Sequence, residues 1–302
     1  MASPVVHKAM PRETPSGTIL RSYSDPARPI SLSVVLPCYR APSLARQSVA
    51  RLANALSGSV PSYEIIVVDD GPGDCESSLA NVFPGAGGSI RVITLPVNRG
   101  KGAAVAEGMR VATGAARIFT DIDLPYGTTA IMLVESLIRT RGFHMVVGDR
   151  TFPQSRYETE LSIGRRLASA VFSQVTATLV TGGFFDTQCG LKGFRGDVAR
   201  EIFRLCRVDR FAFDVELLYL ALTYGLEIKR VPVMLESNST SSVRLGRDSM
   251  RTLIDVARIK LHQMRGEYDS EMLAGIVGRE CDAMSDSLVT RQSTRPILRV
   301  EA

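Results

Sequence analysis

Cysteine is scarce in this 302-residue sequence. Its five cysteines, spread from Cys38 to Cys281, include no Cys-x-x-Cys pair. An odd number at such wide spacing excludes the disulfide framework of a small secreted domain. A reducing, cytoplasmic setting is therefore expected. Internal repeats and low-complexity tracts are also absent between the two ends of the chain, which excludes a solenoid or a fibrous protein.

Long apolar runs are missing as well. The longest stretch without a charged residue, Leu167–Phe185, contains six serine, threonine or glutamine residues, and a membrane span needs about 20 predominantly apolar residues. The N-terminal segment MASPVVHKAMPRETPSG has no apolar core of a secretory signal. We expect a cytoplasmic protein, soluble or peripheral at the inner face of a membrane. Residues 161–185 would then either line a lipid groove or form an ordinary buried helix.

Charge of either sign is modest. The chain has 36 Lys and Arg against 31 Asp and Glu, a net charge of +5, with 22% charged and 45% hydrophobic residues. This composition is that of a globular chain, and its positive excess is too weak to imply nucleic acid as a partner. Residues 229–265 carry eight Lys or Arg against three acidic residues. That placement suits a phosphate-bearing substrate or an anionic membrane surface.

The two ends of the chain differ from its middle. Residues 1–30 contain scattered Pro, Ser, Thr and Arg without apolar periodicity, which predicts a flexible arm. Residues 31–235 would form one catalytic domain, and 236–268 a basic helical segment. Residues 269–302 are expected to be a largely disordered tail, with a short helix near 271–284 as the one element in it.

Between these ends, strand-like and helix-like patterns alternate. Five short runs rich in β-branched residues predict strands, at 32–36, 64–68, 90–95, 116–120 and 145–147. Three segments of helical periodicity lie between them, at 43–56, 102–112 and 128–139. This order predicts an α/β fold with a mostly parallel sheet flanked by helices. Ligands of such sheets bind at the carboxyl ends of the strands.

Two aspartates follow the fourth predicted strand. Asp121 and Asp123 are separated by one residue, so their carboxylates leave the same side of an extended segment and can share a divalent cation. A cation held by few carboxylates commonly grips a diphosphate. Alone, the motif also fits two solvated loop aspartates, but an expected neighbouring strand that ends in Asp69-Asp70 favours the metal site.

The segment Gly100-Lys101-Gly102 follows the third predicted strand. It is not a P-loop, because no Ser or Thr follows Lys101 and the upstream glycine is missing. It is not a dinucleotide fingerprint either, because Val105 stands where Gly or Ala belongs. Two interpretations are left open: a helix N-terminus whose free N–H groups and Lys101 face an anion, or a turn with an exposed lysine.

Several of these segments resemble a known family. Four segments resemble, in their order and spacing, the nucleotide-sugar-binding half of family 2 glycosyltransferases, which have the GT-A fold. They are VVLPCYR, EIIVVDDG, NRGKGAAVAEGM and FTDIDLPYG. Two later segments, DTQCGLKGFRGDVAREIF and RFAFDVELLYLA, resemble one branch of this family. That branch, the dolichyl-phosphate glucosyltransferases and mannosyltransferases, moves a sugar onto a polyprenyl phosphate. The resemblance covers roughly residues 30–265.

The resemblance implies a role for each matching residue. It implies donor binding by Pro37, Tyr39, Asp69, Lys101 and Asp121. It implies a Mg²⁺ or Mn²⁺ site at Asp121 and Asp123. It implies an acceptor-phosphate site with Arg150, which resembles an arginine near the phosphates, Arg165 and Ser169. Gln188 lies in a string typical of the glucosyltransferases. The acidic pair, which in this family often includes the catalytic base, is Asp214 and Glu216.

The implied reaction is inverting transfer of a sugar from a nucleotide-sugar donor, UDP-linked rather than GDP-linked, to a polyprenyl phosphate. This acceptor is already an anion and needs no strong base, whereas a hydroxyl acceptor would need Asp214 or Glu216. The segment DIDLPYG departs from the family's usual DADG or DADLSH. Alternatives are a soluble or glycan hydroxyl acceptor, a nucleotidyltransferase, and a non-catalytic nucleotide-sugar-binding module.

One further segment bears on a membrane partner. Residues 249–265 place Met250, Leu253, Ile254, Ala257, Leu261 and Met264 at helical spacing, with basic residues at other positions. Such a basic amphipathic helix lies on an anionic membrane surface or packs on the sheet.

Overall fold

A computed structural model describes residues 18–22, 29–71, 73–155, 186–210, 212–236 and 247–279. The predicted acceptor residues Arg165 and Ser169, and the segment 161–185, lie outside these ranges. All further statements concern the described residues.

The centre of the fold is an eight-stranded sheet. In chain order the strands are β1 (Thr18–Ser22), β2 (Leu32–Cys38), β3 (Tyr63–Asp69), β4 (Gly88–Thr94), β5 (Ala116–Phe119), β6 (Met145–Asp149), β7 (Lys192–Arg195) and β8 (Ile228–Pro232). Their order across the sheet is β1-β4-β3-β2-β5-β7-β6-β8. Six strands run in one direction, and β1 and β7 run antiparallel to their neighbours.

Helices cover both faces of the sheet. They are α1 (Pro42–Leu56), α2 (Cys75–Leu79), α3 (Lys101–Val111), α4 (Gly127–Arg141), α5 (Gly196–Leu205), α6 (Phe213–Thr223), α7 (Arg247–Met264) and α8 (271–279). One apolar core lies between the sheet and α1, α2 and α4. The other lies between the sheet and α3, α5, α6, α7 and α8. The predicted α/β class and helix-flanked sheet are confirmed.

The central strands form where the sequence has continuous apolar runs. All residues of β3 are buried, and so are all of β2 except the half-buried Pro37. Strands covered by helices on both faces require such runs, because side chains of both alternating sets enter a core. The carboxyl ends of β2, β3 and β5 lie side by side, so the loops after these strands meet at one edge.

Both predicted terminal segments contain ordered elements. Part of the predicted N-terminal arm, Thr18–Ser22, is strand β1 and pairs with β4. In the predicted C-terminal tail, helix α8 lies where a short helix was expected near 271–284, and its Leu273 and Ile276 are buried in a core. Strand β1 is short and has few apolar residues, so its sequence signal is weak.

Helix α7 buries a different face from the one expected. Val256 and Ile259 enter the core, while the predicted apolar positions Ile254, Leu261 and Met264 are 49%, 43% and 84% exposed. The helix therefore packs on the fold and also presents an apolar stripe to its surroundings. Among the described helices, none combines the length and apolar character that crossing a bilayer requires.

Candidate active site

Two neighbouring aspartates at the end of β3 have different tasks. Asp70 accepts hydrogen bonds from the backbone N–H of Arg99, at 2.7 Å, and of Gly100, at 2.8 Å. It therefore fixes the loop between β4 and α3. Asp69 is buried and accepts a bond from the Cys75 N–H at 3.4 Å. Burial raises the pKa of the Asp69 carboxyl.

The N-terminus of α3 is partly closed by protein. Gly100, with φ of 105°, precedes the helix, and the Ala103 N–H donates to the Asp209 carbonyl at 2.9 Å. The expectation of a helix N-terminus with free N–H groups is wrong for Ala103, because the loop before α6 supplies the acceptor. The side chain of Lys101, however, points to the strand ends.

Lys101 and Asp121 form an ion pair, with 2.5 Å between Nζ and Oδ1 and 23% and 37% of the side chains exposed. Burial opposes the charge of Lys101, but Asp121 and Asp214 more than compensate and raise the pKa of the ammonium. The pair links a residue predicted to contact the nucleotide with a residue predicted to bind metal.

The turn that carries Asp121 and Asp123 has an unusual backbone. Leu124 has a positive φ of 50°, and its N–H donates to the Asp121 carbonyl at 3.0 Å. A positive φ is uncommon for a residue other than glycine and persists where the surrounding structure holds it. Leu124 is 1% exposed, so the core anchors the turn that carries both aspartates.

These two aspartates fit a divalent cation only in part. The described residues contain no group of three or more His, Cys, Asp or Glu side chains that could hold a metal ion. Asp121 and Asp123 offer two carboxylates, of which Asp121 is partly exposed. This matches the way Mg²⁺ is often bound, by one or two carboxylates while phosphate and water supply the other ligands.

Asp214, at the start of α6, lies beside the same group of charges. Its Oδ1 accepts a hydrogen bond from Lys192 Nζ at 2.6 Å, and both side chains are buried. Burial raises the pKa of Asp214, against the opposing effect of the ammonium groups of Lys192 and Lys101. Charges of alternating sign thus run from Asp121 through Lys101 and Asp214 to Lys192.

Glu216 is not part of this group. Its carboxylate accepts bonds from the backbone N–H groups of Arg207 and Val208 and from the Tyr268 hydroxyl, at 2.8, 3.0 and 2.6 Å. The side chain is fully buried. With its carboxylate bonded to three donors, Glu216 holds the loop before α6. The structure does not bring it together with Asp121 or Lys101.

Arg150 follows β6 and is held by Asp186. Its Nε and Nη2 donate to the two carboxylate oxygens at 2.9 and 2.7 Å, and its backbone N–H donates at 2.7 Å. Burial opposes the charge of both groups, yet their mutual attraction raises the pKa of Arg150 and lowers that of Asp186. The guanidinium is thus fixed and charged, which is what recognition of a phosphate requires.

The other predicted site residues lie at the surface of the strand-end edge. Tyr39 is 49% exposed, and the Arg40 guanidinium carbon lies 5.1 Å from its ring centre. Pro37 is half-buried in β2, and Gln188 is exposed. Tyr39 is therefore accessible to a planar ligand, which an aromatic ring can stack upon.

A polar cavity of about 290 Å³ lies beside the loop before α6. Its lining includes Arg99, Arg207, Asp209, Arg210, Asp255 and Arg258. Ion pairs within the lining join Arg99 to Asp209 and Arg258 to Asp255. The lining contains none of the predicted site residues, although Arg99 lies two positions before Lys101.

Sequence reasoning missed two residues of the site. Lys192 is fully buried at the start of β7, and Asp186 is 5% exposed. The available signal was a charged residue within the otherwise apolar string CGLKGF, since a lysine is almost never fully buried unless it is paired.

Comparisons with known proteins point to one family. A family model described as "Glycosyl transferase family 2" matches residues 33–203. The dolichyl-phosphate beta-glucosyltransferase of Dictyostelium discoideum is 31% identical over 80% of this chain and 77% of that relative. Those of Drosophila melanogaster and Homo sapiens are 34% and 33% identical, over 68% and 67% of this chain. The alignments span 66% of the fly and human relatives.

Among solved structures, glucosyl-3-phosphoglycerate synthase from Mycobacterium tuberculosis is similar. Its complex with Mn²⁺, UDP and glucosyl-3-phosphoglycerate has a TM-score of 0.55 and 20% identity, over 75% of this chain and 80% of that one. Its complex with phosphoglyceric acid has a TM-score of 0.56 and 21% identity, over 76% and 80%. At this identity the likeness concerns the fold, and it confirms the expected GT-A architecture.

Proposed function

The chain belongs to glycosyl transferase family 2, and on that premise we propose that it transfers a sugar, with inversion, from a UDP-sugar to a polyprenyl phosphate. The observation that carries the proposal is the group of Asp121, Lys101 and Asp214 at the ends of parallel strands. Three dolichyl-phosphate glucosyltransferases that align with most of this chain support the acceptor class.

Donor binding is assigned to the loops after β2, β3 and β4. Tyr39 offers an exposed ring for the base, beside Pro37, and Lys101 offers an ammonium for the diphosphate. The Asp69 carboxylate, predicted to contact the base or ribose, is buried and bonded to the Cys75 N–H. Because the loop before α6 already uses the Ala103 N–H, that group is not available to the diphosphate, and the Lys101 side chain is assigned to it.

Asp121 and Asp123 would hold Mg²⁺ or Mn²⁺, which when bound neutralises charge on the leaving diphosphate. Lys101, paired with Asp121, adds a further positive charge to the site. Departure of the nucleotide is the demanding part of the reaction, and pre-positioned positive charge stabilises it.

The acceptor phosphate is assigned to Arg150, with Arg165 and Ser169 from outside the described residues. Asp186 keeps the Arg150 guanidinium in one orientation. The phosphate oxygen then attacks the anomeric carbon, the bond from that carbon to the UDP oxygen breaks, and the configuration inverts. No proton has to be removed, because the acceptor is an anion at neutral pH.

Asp214 has a task in either version of the reaction. With a phosphate acceptor, its carboxylate helps to hold Lys101 in the site. With a hydroxyl acceptor, the second candidate, Asp214 is the carboxylate placed to act as a general base, and its raised pKa favours that role. Glu216 is assigned a supporting role, because three donors engage it elsewhere.

The membrane-facing element would be α7. Its exposed stripe of Ile254, Leu261 and Met264 has Arg258, Lys260 and Arg265 beside it, all exposed. Apolar side chains that insert among lipid tails, next to basic side chains that contact anionic headgroups, bind a membrane surface. We propose that the enzyme acts at the cytoplasmic face of that membrane.

The test is a transfer assay with purified protein, radiolabelled UDP-glucose, Mg²⁺ or Mn²⁺, and a short polyprenyl phosphate. Label that moves to the organic phase supports the proposal. Label on a soluble glycan, with none on lipid, would favour the hydroxyl acceptor. Release of pyrophosphate from a nucleoside triphosphate would favour a nucleotidyltransferase. Nucleotide-sugar binding without transfer of any sugar would indicate a binding module.

A further inference from the structure

Lys192 is a buried cation in the middle of the sheet. Its side chain has no exposed surface, and Nζ donates to Asp214 Oδ1 and to the Cys189 carbonyl, both at 2.6 Å. It also lies 5.7 Å from the ring centre of Phe119. A lysine in this position cannot contact a substrate directly, because Asp214 and the Cys189 turn stand between it and the site.

We propose that Lys192 is a positioning residue for sugar transfer, which holds the Asp214 carboxylate and the Cys189–Gly190 turn in their working positions. The proposal rests on the proposed function. It extends that function to a residue that touches neither donor nor acceptor.

The two hydrogen bonds connect separate parts of the site. One fixes Asp214, whose charge acts on Lys101. The other fixes the Cys189 carbonyl, and the next residue, Gly190, packs against Asp121 so closely that an added Cβ would lie 2.3 Å from Oδ2. One ammonium therefore holds both neighbours of the Lys101–Asp121 ion pair.

Stability alone does not explain this residue. Leu191 and Phe194 on the same strand segment are fully buried, so an apolar side chain would suit the position. Replacing a buried ion pair by apolar groups of similar size is often neutral or stabilising. The pair is thus better explained by a need for the Asp214 charge at this place than by the folding of β7.

The experiment is a double-mutant cycle with Lys192→Met, Asp214→Asn and the double variant. Lys229→Met is the matched control, because Lys229 is an exposed lysine on strand β8. For each protein we would measure kcat and KM for UDP-glucose, the affinity for UDP by calorimetry, and the thermal unfolding midpoint. If Lys192→Met does not fold, Lys192→Gln takes its place: its amide keeps a hydrogen bond to Asp214 but removes the charge, so a smaller loss of kcat is expected, and wild-type kcat would equally overturn the proposal.

We expect Lys192→Met to lower kcat by about 30-fold or more while the Kd for UDP changes by less than about 3-fold. In the Asp214→Asn background, the same substitution should lower kcat clearly less than in the wild-type background, because only the bond to the Cys189 carbonyl is left to lose. The thermal unfolding midpoint of the double variant should be higher than that of Lys192→Met, because the double variant leaves no unpaired buried charge.

Two results would overturn the proposal: a Lys192→Met protein with wild-type kcat, or an equal loss of kcat in the wild-type and Asp214→Asn backgrounds. Wild-type protein that transfers no sugar overturns the proposed function and this role together. Active wild-type protein without coupling between the two positions overturns this role alone.

Discussion

Gly190 packs directly against the carboxylate of Asp121. A Cβ atom built on Gly190 would lie 2.3 Å from Oδ2 and 3.1 Å from Cγ of Asp121. The glycine is required here by the close approach of the aspartate and not by an unusual φ. The position of a proposed metal and donor ligand thus depends on the absence of a side chain 69 positions further along the chain.

Gly190→Ala should therefore displace Asp121 and lower kcat/KM for UDP-glucose by about 10-fold or more. The matched control is Gly278→Ala in α8, where an added Cβ meets nothing within 4 Å. Steady-state kinetics and calorimetry with UDP measure the effect. Equal activity of the two alanine variants would contradict the dependence of Asp121 on Gly190.

Lys101→Met should weaken UDP binding by about 10-fold, because it removes a charge-assisted hydrogen bond from the proposed diphosphate position. Calorimetric titration with UDP in the presence of Mg²⁺ measures the change. Lys229→Met, which removes an exposed lysine from β8, is the control. Unchanged affinity in Lys101→Met would exclude its contact with the nucleotide.

Asp123→Ala should lower transfer by about 100-fold or more and weaken binding of Mn²⁺, because it removes one of two carboxylates available to the cation. Electron paramagnetic resonance of Mn²⁺ gives the affinity without depending on turnover. Glu76→Gln removes an exposed carboxylate from α2 and should change neither quantity. Transfer retained by Asp123→Ala would remove this residue from the metal site.

Asp186→Asn should lower the free energy of unfolding by about 1–3 kcal/mol at pH 7, since it leaves Arg150 without its bidentate partner while part of the guanidinium stays solvated. The pKa of Asp186 is lowered in the folded state. The contribution of Asp186 to the free energy of unfolding is therefore fully present above the pKa of the unfolded state, about 3.9. It is lost as the pH falls through the lower pKa of the folded state. Urea unfolding at pH 7 and at pH 3 should show the difference between the proteins shrink in acid. A difference independent of pH would contradict the ion pair as its source.

Ile254→Glu combined with Leu261→Glu should reduce binding to anionic vesicles by about 10-fold or more, because both substitutions place charge on the apolar stripe of α7. Flotation with phosphatidylserine vesicles measures binding, and neutral phosphatidylcholine vesicles test the contribution of the basic residues. The control is Met272→Glu, at an exposed apolar position of α8. Equal losses in the variant and the control would show that the stripe is not the contact.

Five of the six parallel strands were predictable, whereas the antiparallel β1 and β7 and the parallel edge strand β8 were not. Strand β3 contains the apolar run Ile65–Val68, buried on both faces, which is a strong signal. Strand β7 reads Lys-Gly-Phe-Arg, and its lysine is buried only because Asp214 neutralises it. Strand β8 buries Val231 alone. A strand whose side chains are buried through pairing with distant residues, and not through their own apolar character, has no local sequence pattern that indicates it.

Asp214 and Glu216 were predicted together as one acidic pair, but only Asp214 lies at the site. Two residues apart on α6, their side chains differ by about 200° around the helix axis. Asp214 thus faces the strand ends, and Glu216 faces Tyr268. A helix assigned to this segment would have separated them. The partnership of Arg150 with Asp186, in contrast, spans 36 positions and follows from no sequence rule.

Strand β1 also has a consequence for handling the protein. Its backbone pairs with β4 through Thr18, Ile19, Arg21 and Ser22, so the side of β4 that faces away from β3 has a hydrogen-bonding partner. Truncation to residue 29 would uncover a seven-residue edge, and uncovered edges recruit strands from other molecules. An expression fragment trimmed to the family-matched region would therefore self-associate, whereas one that begins before Thr18 would keep its own edge covered.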